Sequence, residues 1–363
     1  MIWLDITDPK YVLFFKDLIP LLKSLDSLLI TTRESEGYSE CLNLLELFEI
    51  KAHKVGGYGG GTKLGKFQAR LQREQGFLSL FEELGEIPRV FITGASVEGV
   101  QTAYGLGIPV INFADTPLAG HSFSLSSITL LSRLTLPLSS LIFHPFVVPK
   151  ICYTSMGIEE KNLISYDFID VALWLKDLKA GADFRESLGM DRSLPTILVR
   201  EEEYKAHYVK EKLPIIYESI RLLSSELQAN LVLMPRYESE NLKKEFGSLK
   251  NLFILEEKLP PNEFYPYIDL LIGGGGTMNL ESCYLGIPTI STRSLFLFHD
   301  IYLLENGLMQ HAKSAQEVLR FAQQSLDSKM IKTPQVKLFE REEANFEKIF
   351  EEIKKMLNQN CKR

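Results

Sequence analysis

The sequence is short of the features that mark several protein classes. Its 363 residues carry four cysteines, Cys41, Cys152, Cys283 and Cys361. None lies within three residues of another, which argues against a structural zinc site and a disulfide framework and leaves reduced thiols in a cytosolic protein as the expectation. Basic excess is missing too. Lysine and arginine total 40 against 47 acidic residues, a formal charge of -7, whereas a general nucleic-acid binder tends to the opposite sign. There is no run of about 18 apolar residues. The most apolar stretch, Ser122 to Ile151, is interrupted by Arg133, Pro137 and His144 and reads as a buried helix followed by a buried strand. The opening Met1-Ile2-Trp3-Leu4-Asp5 has no basic n-region or apolar h-region and reads as a first strand, not a signal peptide. A cytoplasmic protein is expected, and peripheral membrane contact stays open.

What the chain does have is alternation. Its length exceeds the size at which one hydrophobic core usually keeps growing, so two domains are expected. Apolar runs rich in Ile, Val, Leu and Phe recur at Ile2–Ile6, Leu28–Thr31, Arg89–Thr93, Pro109–Phe113 and Leu141–Phe146, then at Thr196–Arg200, Asn230–Met234, Leu252–Leu255, Asp269–Ile272 and Pro288–Ser291. Stretches of helical period such as Tyr11–Leu25, Leu64–Leu84 and Lys210–Leu227 lie between them. This pattern implies βαβ units and parallel sheets covered on both faces. A weak repeat supports a doubling. Ile92-Thr93-Gly94 leads through a helix to Leu106-Gly107-Ile108-Pro109, and Ile272-Gly273-Gly274 leads through a helix to Leu285-Gly286-Ile287-Pro288. In each, glycine ends the helix and proline opens the next strand. The fold class expected is α/β, with two Rossmann-like doubly wound parallel-sheet domains facing a cleft. The boundaries are placed at 1–170 and 171–338, with a charged amphipathic helix over 339–363.

Open α/β sheets bind ligands beyond the carboxyl ends of their strands, so the loops after strands hold the candidates. The sharpest is Gly273-Gly274-Gly275-Gly276-Thr277. Gly274, Gly275 and Gly276 let backbone N–H groups approach a phosphate, and a helix expected from about Met278 points its positive end there. Thr277 is suited to cap that helix, and Glu281 to accept from ribose hydroxyls. A tight turn with a solvated glutamate is the plainer alternative, but four consecutive glycines exceed what a turn needs. The second glycine loop, Gly56 to Lys63, has Thr62 before Lys63, the wrong order for a Walker A motif. Gly60 and Lys63 are still candidates for an anionic ligand, with Lys63, Lys66, Arg70 and Arg73 at helical spacing. A surface loop beside a solvated charged face explains them equally. Thr7 or Asp8 caps the first helix, and Asp8 or Lys10 also suits the cleft. Asp115 is the first choice for a general base and His121 the second, against an ordinary Asp-Thr-Pro turn. Arg200 and Arg236 follow strands and suit a diphosphate clamp or, more plainly, surface ion pairs. His299 suits the sugar side of the pocket.

The unit Gly273–Pro288, with Glu281 inside it, resembles the donor-binding element of GT-B glycosyltransferases and of non-hydrolysing UDP-GlcNAc 2-epimerases. The opening Ile2-Trp3-Leu4-Asp5-Ile6-Thr7-Asp8-Pro9-Lys10-Tyr11 and the segment Ala114-Asp115-Thr116-Pro117 are similar to domain-of-unknown-function family number 354. The resemblance covers nearly the whole chain. It implies that Gly274, Gly275, Gly276 and Thr277 hold a diphosphate, that Glu281 holds the ribose, and that the C-terminal helix returns to the first domain. The epimerase pattern has carboxylates where Ser122–Leu134 here contains no Asp or Glu. A nucleotide-sugar-dependent glycosyltransferase of GT-B type, in glycan or glycolipid biosynthesis, is therefore the leading expectation. A UDP-sugar 2-epimerase-like enzyme and a non-catalytic nucleotide-sugar-binding protein are the alternatives. The partners expected are a nucleotide-diphosphate sugar and an acceptor that the sequence does not specify, a lipid-linked one included, with no nucleic acid, metal or cofactor.

Overall fold

Short runs of branched and aromatic residues form the strands, and the amphipathic stretches between them form the helices, throughout residues 1–34, 39–94, 96–202, 214–236, 239–328 and 331–360 described by the computed structural model. The chain divides into two units, Met1–Asp170 with Glu342–Arg363, and Val171–Arg341.

The first unit holds β1 (Ile2–Asp5), β2 (Leu28–Thr32), β3 (His53–Lys54), β4 (Val90–Thr93), β5 (Val110–Phe113), β6 (Leu141–Pro145) and β7 (Leu163–Tyr166), in the order β3-β2-β1-β4-β5-β6-β7. The second holds β8 (Thr196–Arg200), β9 (Asn230–Met234), β10 (Leu252–Ile254), β11 (Leu270–Gly273), β12 (Thr289–Ser291) and β13 (Gln310–His311), in the order β10-β9-β8-β11-β12-β13. The pairings are parallel. Each unit is thus a doubly wound sheet, and in each the strand order reverses beside the first strand, between β1 and β4 and between β8 and β11. These are the switch points where such sheets open a crevice for a ligand.

The period of two is visible in the second core. Ile197, Val199, Leu231, Leu233, Leu270 and Ile272 point to one face and meet Ile220, Leu223 and Val318. Leu198, Val232 and Leu271 point to the other and meet Phe264, Tyr265 and Ile268. Both faces are covered, so the strands read as continuous apolar runs.

The helices that matter below are α1 (Pro9–Phe15), α2 (Lys63–Leu84), α3 (Val97–Gly105), α4 (Leu130–Thr135), α5 (Gly276–Tyr284), α6 (Phe298–Glu305) and α7 (Glu347–Asn360). The sequence repeat is β4-α3-β5 and β11-α5-β12, with Gly107 at φ +70 and Gly286 at φ +71 after the two helices. Each takes the left-handed turn that a side chain would strain.

Two boundaries differ from the periodicity. The run Tyr11–Leu25 is two helices, Pro9–Phe15 and Leu18–Leu25, and Pro20 falls in the first turn of the second, where no intrahelical N–H is lost. The terminal helix starts at Glu347 rather than Phe339, because Asn345 Oδ1 accepts from Glu347 N at 3.0 Å. The helix read from Lys210 is described from Ile215; residues 203–213, where that reading begins, and Cys361 lie outside the described residues. No helix among the described residues is long and apolar enough to cross a membrane.

Candidate functional site

The turn from β11 to α5 is built from glycines of two kinds. A Cβ on Gly273 would sit 1.7 Å from Asn279 Oδ1, and one on Gly274 would sit 2.5 Å from the Glu202 backbone. Close packing dictates both. A Cβ on Gly275 would meet Arg236 Nη1 at 3.8 Å, and one on Gly276 would meet Arg293 Nη1 at 3.0 Å. Two guanidinium groups therefore stand at the start of α5. The helix begins two residues earlier than expected, and its N-cap is Gly275, with no side-chain cap. Thr277 is thus inside the first turn and not the cap. The N-cap glycine has no side chain to close the N-terminus, and the N–H groups and dipole there favour an anion.

The carboxylates nearby hold this frame. Glu202 Oε1 accepts from Ser294 N at 2.8 Å and Ser294 Oγ at 2.7 Å. Glu201 is buried; it accepts from Tyr217 Oη at 2.5 Å and from Arg236 N at 2.8 Å. Asp300, in the first turn of α6, accepts from Arg293 Nη1 at 2.6 Å and from Leu297 N at 2.8 Å. Arg200 differs from the clamp expected of it. It is buried and donates to Pro235 O at 2.5 Å and Met234 O at 3.3 Å, bracing the ends of β8 and β9. His299 is buried beside Asp300 in α6. Arg293 was missed in the sequence. The signal was there, because Arg200, Arg236 and Arg293 all stand at the carboxyl ends of strands.

Glu281 projects from α5 into the interior. It is 4% exposed; Trp174 Nε1 donates to Oε1 at 2.8 Å and Tyr265 Oη to Oε2 at 2.5 Å. Burial pushes its carboxyl up to about 7 against those two hydrogen bonds. The solvated glutamate of the plainer reading is excluded. The carboxylate is already held by two protein donors at the place where ribose hydroxyls were expected.

In the first unit, Lys10 Nζ, in the first turn of α1, lies 2.5 Å from Asp115 Oδ2 and also pairs with Asp170. Tyr166 Oη donates to Asp170 Oδ1 at 2.6 Å, Tyr11 Oη to Phe113 O at 2.9 Å and Tyr153 Oη to Ala114 O at 2.5 Å. Burial opposes the charge of Lys10, and the two carboxylates outweigh it, so its pKa is held above that of an ordinary lysine. Burial and the same carboxylates raise all three tyrosines. The structure thus joins Lys10 and Asp115 and adds Asp170, which the sequence reading missed because it lies 55 residues from Asp115. Asp8 is exposed and caps α1, its Oδ1 accepting from Lys10 N at 2.9 Å. His121 is exposed on a turn.

The loop Gly56–Lys63 runs into α2, where Thr62 is the cap and Lys63 the first helical residue, exposed; Gly60, at φ +74, faces open space. The basic stripe is not a uniform solvated face. Arg73 is fully buried and bridges Asp5 through Nη1 at 2.9 Å and Nη2 at 2.6 Å, because this turn of α2 lies over the end of β1. No cluster of three or more His, Cys, Asp or Glu suited to a metal occurs among the described residues.

The family model described as protein of unknown function (DUF354) matches residues 1–358. An uncharacterized protein of Methanocaldococcus jannaschii is 28% identical over 351 residues, covering 94% of this chain and 97% of that one. Among solved structures, UDP-GlcNAc 2-epimerase from Neisseria meningitidis, bound to UDP-GlcNAc, matches with a TM-score of 0.70 at 15% identity and covers 99% of each chain. UDP-GlcNAc 2-epimerase from M. jannaschii, in complex with UDP-GlcNAc and UDP, matches with a TM-score of 0.68 at 17% identity, again over 99% of each. At these identities the likeness is one of fold, two parallel-sheet α/β domains of the epimerase and GT-B type.

Proposed function

This chain belongs to the family described as protein of unknown function DUF354, and from that premise we propose that it is an enzyme acting on a UDP-linked sugar, by epimerase-like chemistry rather than glycosyl transfer. The ligand class rests on one observation, the uncapped start of α5 with Arg236 and Arg293 beside Gly275 and Gly276. Backbone N–H groups and two guanidinium groups suit a diphosphate. The solved neighbours that carry UDP-GlcNAc or UDP support UDP as the nucleotide.

The choice of reaction rests on the first unit. Epimerisation at a sugar carbon needs a group that removes a proton and a group that returns one on the other face. The stretch Ser122–Leu134 supplies no carboxylate, which favoured transfer in the sequence reading. The cluster of Lys10, Asp115 and Asp170 with three tyrosines supplies acid and base groups from elsewhere in the chain. Lys10 stays an ammonium ion, so the base falls to a carboxylate. Asp115, with its side chain 24% exposed, is that base, and Asp170, at 3%, holds Lys10 in place.

The test incubates the protein with UDP-GlcNAc and related UDP-sugars in D2O without an acceptor. Deuterium is expected in the sugar, and Asp115→Asn is expected to abolish its uptake while UDP still binds. UDP release that requires an added acceptor, with no deuterium uptake, would establish transfer instead. Absence of binding to any UDP-sugar would overturn the ligand class.

A further inference from the structure

We infer that one face of the first unit docks on an anionic membrane surface. This inference is independent of the nucleotide reading and uses other residues. Helix α2 is apolar on two sides. Ala69, Phe77 and Phe81 are turned into the core with the buried Arg73. Leu64, Phe67 and Leu71, three and then four residues apart, lie on the opposite side and are 68%, 50% and 52% exposed. Helix α3 packs beside α2, and α4 beside α3. Gln101 of α3 ties the row together, accepting from Arg70 Nη2 at 2.6 Å and donating to Leu134 O at 3.4 Å. Beyond it Leu125 and Leu130 are 62% and 63% exposed, with Arg133 donating to Leu125 O.

Single exposed leucines are ordinary on protein surfaces. Charge sets this group apart. From Lys51 to Gln72 there are five basic residues, of which Lys54 pairs with Glu34, and no acidic one, and from Thr116 to Ile158 there are two basic residues and no acidic one. These segments supply Leu64, Leu71, Leu125 and Leu130, in a chain whose formal charge is -7. Leucines and a phenylalanine beside Lys63, Lys66 and Arg133, with carboxylates absent from both segments, match a surface of acyl chains under anionic headgroups. A second copy of the chain fits less well, because a twofold contact would set the basic face against itself.

The experiment is co-sedimentation of the full chain with phosphatidylcholine vesicles containing phosphatidylglycerol, and with phosphatidylcholine alone. Binding is expected only to the anionic vesicles, and it weakens as salt rises. Leu64→Glu combined with Leu130→Glu is expected to lower the bound fraction by about tenfold or more. Ile331→Glu, at a residue of the second unit that is 88% exposed, leaves it unchanged, and thermal melts confirm that each variant is folded. Absence of binding to the anionic vesicles would overturn the inference, as would equal binding to both kinds. So would light scattering that shows a dimer which the Leu64→Glu change converts to monomer.

Discussion

The environment of Glu281 can be tested by changing one charge. Its carboxyl is held by Trp174 and Tyr265, and no ion pair to it occurs among the described residues. In the unfolded chain the group has its ordinary value of 4.5, and in the folded protein burial raises it to about 7. A raised carboxyl reverses the usual sign. Between these two values the folded protein holds a proton that the unfolded chain has lost, so stability falls as pH rises through this window and is lowest above it. The span corresponds to roughly 3 kcal/mol, a large part of the about 5–15 kcal/mol that stabilises a typical domain. Glu281→Gln keeps the shape and removes the charge, and the Tyr265 hydroxyl can turn to accept from the new amide. The variant should match the parent below about pH 4.5 and exceed it by up to roughly 3 kcal/mol at about pH 8. Urea denaturation of both proteins across this range, with the transition of the second unit followed by Trp174 fluorescence, measures the difference. Parallel curves for the two proteins would refute the reasoning.

Other expectations follow from the same geometry. Gly273→Ala and Gly274→Ala should yield little folded protein, because each Cβ would overlap a neighbour; Gly275→Val should melt within a few degrees of the parent yet lose UDP binding in a thermal-shift titration by more than about tenfold. Arg293→Ala leaves the buried Asp300 unpaired and should cost about 3–5 kcal/mol in urea denaturation. Adding Asp300→Ala should restore part of that stability and none of the UDP affinity. Lys10→Met removes the cation between Asp115 and Asp170, so deuterium uptake should lose most of its rate and its pH profile should move upward, with UDP affinity unchanged.

The architecture was legible because the central strands are buried on both faces, whereas the edge strands β3 and β13, polar and largely exposed, left no such run. Ile197–Val199 and Leu270–Ile272 are apolar at successive positions, and a run of that kind between helical periods has few other readings. The glycine turn was legible for the same local reason. What the sequence hid were partnerships between distant residues. Asp170 looks like part of a linker until β7 returns Tyr166 beside it and α1 brings Lys10 to its other oxygen. Arg73 continues a stripe of surface cations by spacing, and only its place over the end of β1 makes it a partner of Asp5. Arg200 and Arg293 both stand at strand ends. Pairing with Asp300 puts Arg293 beside the glycines, whereas two backbone carbonyls hold Arg200 at the ends of β8 and β9. Charge and spacing assign residue types to a site, but the partner each side chain finds assigns its role.

The two copies of the repeated turn show this most directly. Both follow the fourth strand of a doubly wound sheet, at its switch point, and both lead into a helix of nine residues. In the first unit the turn is closed by the protein itself. Ser96 Oγ caps α3 by accepting from Gly99 N at 3.0 Å, and Arg73 fills the crevice while paired with Asp5 and 3.6 Å from Glu98. Gly99 N and the Arg73 guanidinium thus find their partners within the protein. In the second unit the cap is a glycine with no side chain, and the arginines beside it approach the open face of the turn. The same turn thus stands in both units, filled by an internal ion pair in the first and without a side-chain cap in the second. In the first unit the buried charge cluster lies farther along the sheet, where β5 and β7 end and Lys10, Asp115 and Asp170 meet. On this argument, opening the first crevice by Arg73→Ala and Ser96→Gly costs stability through the stranded Asp5 and creates no second nucleotide site, because no guanidinium remains to receive a phosphate.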